Sequence, residues 1–257
     1  MRPATLAVMK PSHPAFTQVD HRPWPIPGGP WTWRQNWHDL LFAHWPVPAA
    51  DLRRLVPDGL NIQEYDGTSW VGVVPFRMTG VMRRPLPDLP WVSAFPELNV
   101  RLYVERDGKP GVWFLSLDAA NPLAVWAARR FFYLPYWHAR MTLSTAGDEY
   151  RFRSQRRGAS PMKFAAAYRP TSPPRQALRG TLECFLVERY CLYCQSPGRS
   201  LYRAEVLHTS WPLQDAAAQV EPDELLSTHG LVVRGAPLLH FSRGVDVVVW
   251  PLAKVGA

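Results

Sequence analysis

Apolar and polar residues alternate along several stretches of the chain, and the clearest begins at Phe95. Leu98, Val100, Leu102 and Val104 fall on one side of the alternation; Glu97, Asn99, Arg101, Tyr103 and Glu105 fall on the other. A period of two is that of a strand with one apolar and one polar face. Asp107-Gly108 breaks the run and predicts a tight turn. Residues 112–118 predict the return strand, bringing Ser116 and Asp118 opposite the first. Asn121-Pro122 predicts a helix start, with Asn as N-cap and Pro in the first helical position. The alternation resumes over 134–143, where Tyr136, His138 and Arg140 share one face and Trp137, Ala139 and Met141 the other.

The rest of the chain reads in the same way. Residues 31–45 predict a strand carrying His38, Asp39 and His44; adjacent strand residues face opposite ways, so at most one of His38 and Asp39 faces a pocket. Residues 48–56 predict a short amphipathic helix, and 61–65 with 68–78 a hairpin across Asp66-Gly67. The proline-rich stretch 80–90 is expected to be a loop long enough to rim a pocket. Strands are expected at 149–156, 162–169, 190–195, 201–208, 238–243 and 245–251, and short helical turns at 181–188 and 222–226. Ten to twelve strands at hairpin spacing against three or four short helices predict a mainly β (α+β) fold, an antiparallel barrel or barrel-like pair of sheets without a parallel βαβ rhythm. Seven prolines in the first 30 residues predict an extended N-terminal arm over 1–30, mobile or partner-held over its first twenty residues. One domain is expected over 31–257.

Composition narrows the classes. Of 29 basic residues four are lysine, and the net charge is +8. Arginine forks suit carboxylate or phosphate, although an arginine bias also follows from genomic base composition. The pairs Arg83-Arg84, Arg129-Arg130 and Arg156-Arg157 form no stripe, which argues against nucleic acid as a partner. Three cysteines make no even disulfide framework, and Cys191-x-x-Cys194 has no second pair or His cluster at zinc spacing. No metal or cofactor is expected. A reduced, cytoplasmic setting fits, since the N-terminus lacks the apolar run of a signal peptide and no stretch is long enough to span a membrane. Self-association into a homo-oligomer is compatible with all of this.

Runs across the chain carry a resemblance: WHDLLFAHW at 37–45, WVGVVPF at 70–76, FPELNVR at 95–101, ERY at 188–190 and FSRGVD at 241–246. The chain resembles the YqjF-like family of bacterial proteins (domain of unknown function 2071), grouped with the acetoacetate decarboxylase-like fold, over about residues 21–250. The resemblance implies that fold. In the decarboxylases a helix and strand read Gly-Arg-Glu and, six residues on, Pro-Lys-Lys. The counterpart here is Ala128-Arg129-Arg130 followed by Pro135-Tyr136-Trp137, so both lysines are replaced. A Schiff base needs an amine nucleophile, which neither Tyr nor Trp supplies. The resemblance also implies an acidic residue where Glu97 stands.

If the three central strands are neighbours, Glu97, Arg101, Ser116, Asp118, Tyr136, His138 and Arg140 converge, with Arg129 on the helix between them. Two readings are open. The polar residues form a buried ion-pair network that fixes register, or they line a pocket walled by Trp113, Trp126 and Tyr133 or their neighbours. The second reading gives a small-molecule-binding protein, its ligand an organic anion on Arg101 or Arg140. The alternative is an enzyme acting on a small carboxylate or carbonyl compound by acid–base chemistry, with Glu97, Tyr136 and His138 as candidate catalytic residues.

Overall fold

The computed structural model describes residues 13–86, 93–157 and 162–256. In chain order its elements are β1 (Trp33–Val47), α1 (Ala49–Arg53), β2 (Asn61–Ile62), β3 (Ser69–Arg83), β4 (Phe95–Arg106), β5 (Lys109–Ala119), α2 (Pro122–Phe132), β6 (Tyr136–Ala146), β7 (Glu149–Arg156) and β8 (Lys163–Pro170). There follow α3 (Leu182–Val187), β9 (Cys191–Gln195), β10 (Leu201–His208), β11 (Leu213–Glu221), α4 (Asp223–Ser227), β12 (Leu238–Val249) and β13 (Ala253–Lys254). The fold is mainly β, as expected.

The strands hydrogen-bond in the order β13-β10-β9-β5-β6-β7-β8-β11-β12-β1-β3-β4-β2, and the pairings β10–β12 and β5–β4 close the sheet on itself. Closure removes open edges. The result is a ring of strands rather than a regular barrel, because β12 divides between two neighbours. Its first half pairs with β11 (Leu213↔Ser242) and its second half with β10 (Val206↔Val249). Two rings arise that share β1, β3, β4, β5 and β12. Pairing is antiparallel except where β5 meets β6 and β9, which are parallel to it. The β5-α2-β6 unit is therefore a parallel crossover, contrary to the expectation of none.

The shared strands have a core on each side. Leu98, Val100 and Leu102 of β4 join Leu41, Val73, Met141, Phe152, Phe164 and Phe241 in the first. Phe42, Val74, Phe76, Phe95, Val206 and Trp211 build the second. The polar face of β4 is thus not a solvent face: it points into the second core, and Glu97, Asn99 and Arg101 are all buried.

Several boundaries differ from the sequence reading. β2 pairs with β4 rather than β3, and the hairpin across Asp66-Gly67 reduces to the bridge Tyr65↔Thr68. β3 runs on through Arg83, so the loop expected over 80–90 begins later; residues 87–92 lie outside the described residues. The N-terminal segment packs from residue 13 onward: Pro14–Thr17 forms a 3-10 turn with Ala15 fully buried, and Arg22 pairs with Glu205. The expectation for residues 1–12 lies outside the described residues. β11 was not expected, since Ala216-Ala217-Ala218 gives its alternation little apolar contrast. The two strands expected over 238–251 are one, because Gly244 (φ 140°) carries β12 past β1 without ending it; a Cβ there would lie 2.1 Å from Trp37 O.

Candidate functional site

The second core is not filled. It encloses a cavity of about 350 Å³ whose walls include Trp33, Trp37, Phe76, Phe114, Phe132 and Trp211. Polar groups line it from six places: Gln35 from β1, the exposed Arg83 from the end of β3, Glu97, Asn99 and Arg101 from alternate positions of β4, Tyr136 from the start of β6, Arg189 from the connection between α3 and β9, and His208 from the end of β10.

Glu97 is 3% exposed, and Tyr136 donates its hydroxyl to Oε2 at 2.8 Å. Burial raises its pKa to about 8, against the Tyr136 hydrogen bond and with a further push from the Asp118 charge. Near neutral pH this carboxyl keeps its proton. No ion pair joins Glu97 to an arginine among the described residues, so the reading of a buried ion-pair network does not hold at Glu97.

Arg101 and Arg189 form a second polar group. Arg101 donates from Nε to Tyr103 Oη at 3.1 Å and from Nη2 to Leu186 O at 3.0 Å, with its guanidinium 5.3 Å from the Phe42 ring. Arg189 donates from Nε to Phe185 O at 2.7 Å and from Nη1 to Gln63 Oε1, stacked on Phe185 at 4.4 Å. Both are 8% exposed, and among the described residues neither has a carboxylate partner. Burial lowers Arg189 to about 10, and the Arg101 charge adds to this. Tyr103 Oη also meets His44 Nε2 at 2.6 Å; burial holds that imidazole well below its usual range, so it adds no charge. Gly72 makes this contact fit, since a Cβ there would lie 3.0 Å from the His44 ring.

Of the residues expected to converge, Glu97, Arg101 and Tyr136 do. Ser116 and Asp118 do not. They pair with Val100 and Leu98, so they share the apolar face of β4 and point to the other side of the sheet. A register irregularity between Val100 and Arg101 keeps the two sets apart. Ser116 Oγ meets His229 Nε2 at 3.1 Å. Asp118 pairs with Arg156 Nε at 2.8 Å and accepts from Ser154 at 3.4 Å; burial raises it to about 6 while Arg156 opposes the rise. Arg140 is exposed and His138 half-buried, and neither lines the cavity. The cause is that β6 follows β5 only from Tyr136 to His138 and then departs with β7. Arg129 sits on the exposed side of α2, 6.0 Å from the Trp137 ring.

The expected walls are also different. Trp113 donates to Leu55 O and packs on the first core, Trp126 is exposed, and Tyr133 lies against Tyr202. His38 bonds Thr79 Oγ1 at 2.8 Å and Asp39 pairs with Arg77 at 3.0 Å. A bulge at Asp39 (φ 56°) interrupts the alternation there, and neither residue lines the cavity. Arg189 and His208 were missed. Arg189 stands in a three-residue connection with no periodicity to read, inside the ERY run that the resemblance had marked. Cys191 and Cys194 are free, and burial pushes both thiols up to about 12. Glu183, Asp215 and His240 cluster as metal ligands do, but Arg175 bridges the two carboxylates at 2.7 and 2.8 Å, so a guanidinium already supplies the positive charge.

Solved structures with this fold include acetoacetate decarboxylase from Legionella pneumophila, with a TM-score of 0.63 and 13% identity over 91% of this chain and 92% of that one. The enduracididine biosynthesis enzyme MppR complexed with pyruvate gives 0.64 at 13% identity, covering 89% and 91%. An acetoacetate decarboxylase-like enzyme from Sphingomonas wittichii RW1 gives 0.62 at 13%, covering 92% and 98%. At that identity the likeness is one of fold. In sequence, the chain is 44% identical over 230 residues to the uncharacterized protein YqjF of Bacillus subtilis (strain 168), covering 89% of this chain and 95% of the relative. The match to the DUF2071 family, described as an uncharacterized conserved protein, extends over residues 34–246, and with it the chain belongs to that family, built on the fold of the acetoacetate decarboxylases.

Proposed function

We propose that the protein binds a small organic carboxylate in the cavity, held by Arg101 and Arg189. The observation that carries this reading is the pair of buried arginines without a carboxylate partner among the described residues. An unpaired buried charge costs several kcal/mol or so, and an anion from solution offsets that cost. Arginine forks accept a carboxylate in two parallel hydrogen bonds. Arg140, exposed on β6, drops out as an alternative. Pyruvate, the acid bound in MppR, belongs to the ligand class this site would take.

An enzymatic reading rests on Glu97. A protonated carboxyl at about 8, hydrogen-bonded to Tyr136 in a largely apolar cavity, is poised to exchange a proton with a bound acid or carbonyl compound. Among the described residues no lysine lines the cavity, so such chemistry would proceed without an imine.

A thermal-shift screen of small carboxylic acids tests binding, with Arg101→Met and Arg189→Met alongside the wild type. At a ligand concentration of about 100 Kd the wild type should gain about 2.7 kcal/mol. Either variant should lose most of that gain while still unfolding cooperatively. If no acid stabilises the wild type, or Arg101→Met responds as the wild type does, the reading falls. NMR of the bound acids checks turnover, which should vanish in Glu97→Gln.

A further inference from the structure

Glu97, Asn99 and Arg101 project from alternate positions of β4 into one cavity. Strand geometry sets Glu97 and Arg101 about 13 Å apart along the backbone. Their side chains are fixed in different places. Arg101 is tied to Tyr103 and to Leu186 at the end of α3, in the same pocket as Arg189. Glu97 is tied to Tyr136, and pairs across to Ala119 just ahead of the Asn121 cap of α2. The cavity therefore has a cationic pole and a separate uncharged polar pole, with mostly apolar walls. Leu86 and Leu123 line it while 54% and 53% exposed, and the exposed Arg83 lines it with them, which marks a mouth that is apolar but for one guanidinium. A two- or three-carbon acid on the arginines would leave the apolar walls and the Glu97 pole untouched.

Building on the anion-binding reading above, we propose that the ligand is an elongated carboxylate with a second, uncharged hydrogen-bonding group at its far end. Its carboxylate lies on Arg101 and Arg189, its apolar chain along the aromatic walls, and its distal hydroxyl or carbonyl at Glu97 and Tyr136. The burial that keeps Glu97 protonated lets its O–H donate there and disfavours a second charge.

Calorimetric titration of the wild type with propanoate, octanoate, 8-hydroxyoctanoate and 8-aminooctanoate tests this. Affinity should rise roughly threefold to fourfold per added methylene from propanoate to octanoate. The 8-hydroxy acid should bind about fivefold tighter than octanoate. Glu97→Leu should abolish that hydroxyl preference and keep octanoate binding. Should that variant fail to fold, the wild-type ligand series decides alone. Equal affinity for propanoate and 8-hydroxyoctanoate, or tightest binding of the amino acid, would overturn the elongated, uncharged-tail assignment. Those results would leave Arg101-dependent carboxylate binding standing. Failure of all four acids to bind, by contrast, would remove the anion-binding reading itself.

Discussion

At Glu97 a carboxyl that would ordinarily titrate near 4.5 is raised to about 8, chiefly by burial. The sign of its effect on stability follows from linkage. Between pH 4.5 and 8 the folded protein holds a proton that the unfolded chain has released, so this group's contribution is full below pH 4.5. It falls as pH rises through that window and is lost above 8. The whole swing is on the order of 5 kcal/mol. Glutamine mimics the protonated acid but cannot ionise. Urea unfolding of wild type and Glu97→Gln should therefore coincide near pH 4.5, and above pH 8 the variant should be the more stable by several kcal/mol. A constant difference across that range would show that Glu97 is ionised in the fold. The alternation at 97, 99 and 101 was legible as one polar face, and that face holds the β4 side of the site. Hidden from the sequence was the side on which Ser116 and Asp118 would lie. A one-residue change of register moves a residue to the opposite face of a sheet, and the irregularity at Val100 and Arg101 is a property of the pairing.

Helix α2 shows what was readable at the scale of an element. Asn121 accepts from Leu123 N at 2.9 Å and Ala124 N at 3.1 Å, and Pro122 follows it in the first turn. Both residues are local signals, so the helix start was visible without tertiary information. β11 and β12 were harder, since small residues weaken the alternation in one and a glycine mimics a break in the other. Leu123, Ala124, Ala127, Ala128 and Phe132 give α2 a second task, as they form one wall of the cavity. Asn121→Ala removes the acceptor for two backbone N–H groups and should lower the unfolding free energy by about 1 kcal/mol, whereas Asn121→Asp should retain it. Octanoate affinity should fall with the alanine variant if the helix end shapes the mouth. Denaturant titration with and without octanoate measures both effects. An alanine variant as stable as the wild type would show that the cap contributes nothing.

Across the whole molecule, the two rings that share five strands have different contents: one is packed with Phe152, Phe164 and Phe241, and the other encloses the cavity. Proteins of this fold named acetoacetate decarboxylases share the architecture at 13% and 14% identity, which leaves the contents of the cavity free to differ. The position that the resemblance aligns with a lysine is Tyr136, and its hydroxyl donates to Glu97. An imine requires an unprotonated amine within reach of the carbonyl. The described lysines lie elsewhere. Lys109 Nζ is 3.1 Å from Glu205 and faces Trp24, while Lys163 and Lys254 are exposed. Borohydride added to the protein with pyruvate should therefore leave its mass unchanged, even where thermal shift shows that the acid is bound. A reduced adduct mapped to any lysine would show that an amine reaches the ligand after all. Binding without trapping would fit an acid held by the two buried arginines with no imine formed.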